Sequence, residues 1–386
     1  MSAMSQHPVT LRRLPLLLLP LAGVSLLSGL LAGLIRMGWA LPTPSADLIL
    51  LHGPLMVAGF FGTLIGLERA VALQKAWVYG APVLVGFGGL TLAVGGPVAL
   101  SEEAIVLGSL IYLVAALWLN AQHHALHIAV MTLGAVCWCI GNFLWLLGWA
   151  VPDVVLWWLA FLVLTIAGER LELSRLLQPP AWARAVFLGI VIVLLVGVVA
   201  VAQWETPAWH MLGAALVCLT FWLARHDLAR HTVHGRGVAR FSAICLLSGY
   251  VWLGVAGLVA IVSADPAGGF AYDATLHAVF LGFVFAMVFG HAPIILPAVL
   301  RIAVPFRRAF YAPLGLLHVG LVLRIFGDLL TWEPGRLWGG MIDVLAILGF
   351  AGTVATAALT RRAPVVILKG ATQANTSLPV RNRAAD

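Results

Sequence analysis

Twelve apolar runs follow one another along the chain, each near the roughly 20 residues that cross a bilayer core, and short polar turns separate them. Backbone groups in hydrocarbon must be satisfied within the segment, so runs of this kind predict helices. They fall near 14–37, 46–68, 77–98, 104–120, 126–149, 153–170, 182–203, 207–224, 241–263, 274–300, 310–330 and 338–360. The first run extends 22 residues from Leu14 to Ile35. A signal-peptide core has only about 7–15 residues, so this run predicts a retained first helix, although Arg12 and Arg13 precede it. The polar remainder is small: an N-terminus over 1–12, a loop around Arg225–Arg240 and a tail over 361–386 whose composition predicts disorder. The expected fold class is therefore all-α, a polytopic protein with one membrane domain over 13–360.

Composition agrees, with 62% hydrophobic and 10% charged residues against about 25% charged in an average soluble domain. Lys and Arg concentrate at the cytoplasmic ends of membrane helices. When the N-terminus, every second loop and the tail are grouped as one side, that side holds 19 of the 22 basic residues, and only Arg36, Arg324 and Arg336 lie on the other. Both termini are thus expected on the cytoplasmic side of a bacterial inner membrane. The net charge of +7 is this bias summed, a statement of topology and not a nucleic-acid footprint. A reporter fused after Arg362 is expected to read as cytoplasmic; a periplasmic reading means that one helix has been miscounted. The four cysteines, Cys137, Cys139, Cys218 and Cys245, fall inside predicted helices, and no disulfide is expected.

Ionisable groups at membrane depth are costly and point to function. His52 lies six residues into the second helix and His277 about five into the tenth, both from the outer side, which is roughly 9 and 8 Å of descent. Two imidazoles at one level, beside the small residues Gly53, Ala278 and Gly282, suit bis-histidine haem ligation; the plainer reading is two hydrogen-bonding histidines that link helices. His291 and His318 form a second level near the inner side, open to a second haem or copper site or to a simple polar contact. Arg324, level with the outer pair, can hold a propionate or pair with Asp328 one turn on, and Arg36 is the other propionate candidate.

Residues 51–56, Leu-His-Gly-Pro-Leu-Met, followed by Gly59-Phe60-Phe61-Gly62, resemble the second helix of heme-copper oxidase core subunits, whose His binds the low-spin haem. Arg36-Met37 is similar to the Arg-Met that closes the first helix in that superfamily, and Thr275-Leu276-His277 to the His-x-His of its tenth helix. Thr275 replaces the high-spin haem ligand, Trp157-Trp158 stands without the copper-ligand His, and the seventh helix has no His pair. A usual haem-copper binuclear centre is therefore not expected. The stretch with Gly290-His291, Arg301, His318 and Arg324 is similar to the NnrS family, twelve-helix haem proteins tied to the response to nitric oxide. The resemblance implies haem b held by His52 and His277, a heme-copper oxidase subunit I-like fold and the handling of nitric oxide or its iron-nitrosyl products.

A weak echo, Gly66-Leu67-Glu68-Arg69 against Gly168-Glu169-Arg170, with Pro297–Arg301 at the same level, makes three blocks of four helices conceivable. His123, His124 and His127 suit a metal, a quinone head group or a solvated interface; His226, Asp227, His231 and His234 read as a solvated or lipid-facing loop. Two further functions fit the same residues. One is a transporter or channel with histidines along its pathway, the other a b-type electron carrier to or from quinone.

Overall fold

The computed structural model describes residues 9–43, 45–263 and 268–360, and the side chains of 9–13, 46 and 47 are left out of the description. Residues 1–8 and the tail 361–386 lie outside it, and with them most of the expected N-terminal segment and all of the tail. The described residues are helical, without a strand. Among the described residues twelve helices are long and apolar enough to cross a membrane: α1 Leu14–Met37, α2 Leu48–Leu73, α3 Ala76–Ala93, α4 Val98–His123, α5 Leu126–Leu146, α6 Val151–Leu177, α7 Ala181–Ala200, α8 Glu205–His226, α9 Gly237–Val262, α10 Phe270–Leu300, α11 Arg308–Leu329 and α12 Glu333–Leu359. The chain is a multi-pass membrane protein.

Each helix packs on the next, and α12 returns to α1, so the bundle closes. Inside the ring, α2, α6 and α10 touch one another in every pairing. The lipid-facing surface is what the apolar runs demanded, with Leu107, Val114, Phe221 and Val251 exposed, while the middle of α6 is almost wholly buried.

The two helices that carry the outer histidines depart from α-geometry at corresponding places. Leu55–Gly62 of α2 and Ala278–Phe285 of α10 form wider π-turns, one beginning three residues after His52 and the other directly after His277. The segments face each other, with the Phe60 and Phe285 rings 5.8 Å apart and inclined by only 12°. Turns of this type are rare and gather at functional sites, because they rotate the helix face that follows. All of Leu55–Gly62 is buried, so its altered hydrogen bonding is shielded inside the bundle.

Loop residues that read as solvated are in part structural. Asp227 is buried, accepts a hydrogen bond from the Ala229 N–H at 2.8 Å and another from the Tyr250 hydroxyl, and so ties the loop after α8 to α9. His226 is buried beside Trp222, whereas His231 and His234 are exposed.

Candidate functional site

A short 3-10 turn, Ala46–Leu51, delivers His52 to the start of the regular part of α2. Its Nδ1 lies 2.7 Å from the carbonyl oxygen of Gly29 on α1. A carbonyl only accepts, so Nδ1 carries the proton and Nε2 keeps its lone pair. His277 repeats the arrangement on its own helix, where Nδ1 donates to the Asp273 carbonyl at 2.8 Å. Both rings are thus fixed in tautomer and orientation by a backbone acceptor, and both direct Nε2 away from it. The ring centroids stand 6.3 Å apart with planes inclined by 18°.

Small residues let the rings in, and two of them lie on a helix the sequence did not suggest. A Cβ on Gly33 would lie 2.9 Å from Cε1 and 3.0 Å from Nδ1 of His52, and one on Gly29 would lie 2.6 Å from Sδ of Met56. These two glycines, one turn apart on α1, allow the close approach of α2. Gly53 lines the cavity as expected and also packs against Val151 of α6, whereas Gly282 packs against Trp252 of α9 and Leu321 of α11 and serves helix packing.

Around the two rings lies a cavity of about 1170 Å³, counting its mouth, whose lining combines apolar side chains such as Leu30, Val57, Phe61 and Val155 with Arg36, Arg324, Arg336, Asp273 and Asp343. Arg324 is buried and its guanidinium is shared: NH2 reaches Oδ2 of Asp273 at 2.7 Å, NH1 reaches Sδ of Met37 at 2.8 Å, and NH2 lies 3.3 Å from Nε2 of His277. The pairing with Asp328 one turn on does not form. Asp328 instead faces Arg336 of α12 at 3.2 Å, because the tight α11–α12 contact brings Arg336 to that side. Arg36 is exposed at the rim, where Trp39 and Trp338 meet edge to face at 5.2 Å.

Breaking the Asp273–Arg324 pair from one side leaves a buried guanidinium without its carboxylate. Asp273→Asn is expected to cost about 3 kcal/mol and to lower the midpoint of thermal unfolding in detergent by several degrees. Glu103→Gln, at an exposed carboxylate of α4, serves as the control and is expected to change nothing. Equal midpoints for the two variants would remove the pair from the account.

The inner level is built differently. His291 donates from Nδ1 to the Met287 carbonyl at 2.6 Å, and its Nε2 meets Arg170 of α6 at 2.9 Å. His318 receives a hydrogen bond from Trp252 of α9 at 3.0 Å. No hydrogen bond or ring contact joins the two histidines, which turn toward different helices. His127 faces Glu172 at 3.7 Å, while His123 and His124 are exposed at the mouth of the bundle. The four cysteines are unpaired.

The model of a domain of unknown function, DUF8744, matches residues 13–359, from the start of α1 to the end of α12. The chain belongs to the DUF8744 family. A search of curated proteins finds no match. The match covers the helices that carry the outer cavity and both histidine levels of this chain. Sequence reasoning missed Gly29, Gly33, Asp273 and Arg336. The glycine spacing of four and the placement of Asp273 one turn before His277 were the available signals, each weak alone.

Proposed function

We propose that the chain is a haem b protein of the bacterial cytoplasmic membrane, with His52 and His277 as the two axial ligands. The observation that carries this reading is the pair of nearly parallel imidazoles 6.3 Å apart on the wall of one cavity, with Nδ1 of each held by a backbone carbonyl and the Nε2 of His277 3.3 Å from Arg324, a contact that ligation would replace. Two metal–imidazole bonds of about 2 Å and two ring radii of about 1.2 Å place the centroids of trans ligands a little over 6 Å apart. The cavity also has the make-up of a cofactor site, with apolar walls and a few charged groups, among them Arg36, Arg324 and Arg336.

Each residue then has a task. The Gly29 and Asp273 carbonyls hold the rings in the ligating tautomer, as the partners of metal-bound histidines do. Arg324 and Arg36, joined by Arg336, supply cations for two propionates at the mouth. Phe61 and Leu30 line the cavity and would exclude water from a bound haem. The haem, if held by His52 and His277, would supply one-electron exchange, and a reaction with nitric oxide would need one of these two side chains to move.

The central contacts among α2, α6 and α10, each four helices after the one before, favour a three-block arrangement of the heme-copper oxidase type. The resemblance to NnrS proteins favours the handling of nitric oxide, or of its iron-nitrosyl products, as the setting. Purification from haem-replete cells followed by oxidised and reduced visible spectra tests the reading. Sharp reduced bands of a b-type cytochrome support it. A colourless protein overturns it and leaves a pathway lined by histidines.

A further inference from the structure

A second cavity lies below the first, between α1, α2, α6 and α10, with about 850 Å³ of space counting its open side. Its walls are aliphatic, among them Leu64, Leu162, Val284 and Leu296, and its far end carries Glu68, Glu169 and His291. The adjoining space shares Ile65, Glu68, Glu169, His291 and Ile295 with it and adds Arg69, Arg170 and Glu172. The two halves of the sequence echo, Glu68-Arg69 and Glu169-Arg170, therefore meet around one polar end.

We propose that this cavity binds an isoprenoid quinone or its hydroquinone, head group toward His291 and Glu169, tail leaving between α1 and α10. Three features select this class of ligand. The long apolar body of the cavity, with the partly exposed Leu19, Leu296 and Val299 on its α1 and α10 sides, suits a hydrocarbon chain that enters from the lipid. The polar end sets Glu68, Glu169 and Glu172 beside Arg69 and Arg170, so it carries no excess of positive charge to select an anionic lipid or fatty-acid head over a neutral one. It also offers both donors and acceptors. Arg170 is buried, spends one NH2 on His291, and has an Nε with no partner, and the carboxylates of Glu68 and Glu169 accept. A ring with oxygens that accept in the quinone and donate in the hydroquinone matches that mixture. Phe61 lines this cavity and the outer one alike, so a ligand here lies one side chain away from the space around His52 and His277.

The test is photolabelling of the intact protein in lipid nanodiscs with an arylazido-quinone, competed by decylubiquinone. The label is expected on the Leu64–Glu68 and Val288–Ile295 stretches, displaced by decylubiquinone and not by oleate or phosphatidylglycerol. His291→Gln alters the polar end, and Val288→Trp fills the apolar body without touching it. Each is expected to lower labelling about tenfold, as loss of a buried polar partner or of the ligand's space does. Labelling that falls on other helices, that oleate displaces equally, or that both variants retain overturns the proposal. The readout needs no haem, so the visible spectrum of the same sample reports separately on the outer site.

Discussion

His52→Ala and His277→Ala, each made alone, are expected to remove the low-spin haem signal or convert it to a high-spin one, while His291→Ala and His318→Ala leave it in place. Only the first two rings face each other across the outer cavity, at 6.3 Å and with nearly parallel planes. Truncation to a methyl empties one axial position, and no other side chain along the cavity carries an imidazole or a thioether free to replace it, because Met37 is engaged with Arg324 and Met56 packs against Gly29. Changes one layer further out, in the partners of a ligand, already cost about 10- to 100-fold in affinity, so loss of the ligand itself is expected to exceed that. His291 is bonded to Arg170 and His318 to Trp252, both away from the outer cavity. A low-spin spectrum that survives His52→Ala and vanishes in His291→Ala assigns the haem to the inner level.

The second large effect is expected from a residue with no chemistry of its own. Gly33→Ala brings a methyl to 2.9 Å from Cε1 of His52, closer than carbon atoms pack, so the ring or α1 must give way. Overpacking of this kind costs about 1–3 kcal/mol, which is roughly 5- to 150-fold in the occupancy of a state that needs the original ring position. Gly33→Val is expected to go further and abolish the low-spin signal. Gly23→Ala is the matched control on the same helix: nothing lies within 4 Å of its added Cβ, and the gain in helix propensity makes it neutral or mildly stabilising. Equal haem content in Gly33→Val and Gly23→Ala would show that His52 does not need its place beside α1.

The twelve spans were legible because hydrocarbon permits few alternatives. A run of lipid-compatible length must be a helix, and the structure has twelve such helices in the expected order. The ends were less legible. The fourth run, expected over 104–120, is the helix Val98–His123, and the third, expected to 98, stops at Ala93. Hydropathy marks where the chain leaves lipid, while helices end at local backbone turns, such as the left-handed conformations of Gln74, His124 and Gln178, residues that do not announce a cap as glycine does.

The candidate site was half legible. Depth along a regular helix placed His52 and His277 at one level, since rise per residue is all that estimate needs. Rotation was beyond reach. The π-turns at Leu55–Gly62 and Ala278–Phe285 shift the faces of α2 and α10, and no residue pattern in either segment signals them. Gly53, beside His52 and ahead of the π-turn, lines the cavity as expected, whereas Gly282, inside the second π-turn, packs against other helices, and further room is made by Gly33 on a helix some twenty residues earlier. The partner of Arg324 was misjudged because an acid one turn away competes with acids from neighbouring helices, and Asp273 of α10 is closer in space.

The most direct test of the bis-histidine account is the low-temperature EPR spectrum of the oxidised, purified protein. Imidazole planes inclined by only 18° are expected to give a rhombic low-spin ferric signal with three resolved g values, from one haem b per chain. A high-spin axial signal, the single strongly anisotropic feature of perpendicular imidazoles, or no ferric haem at all would contradict it.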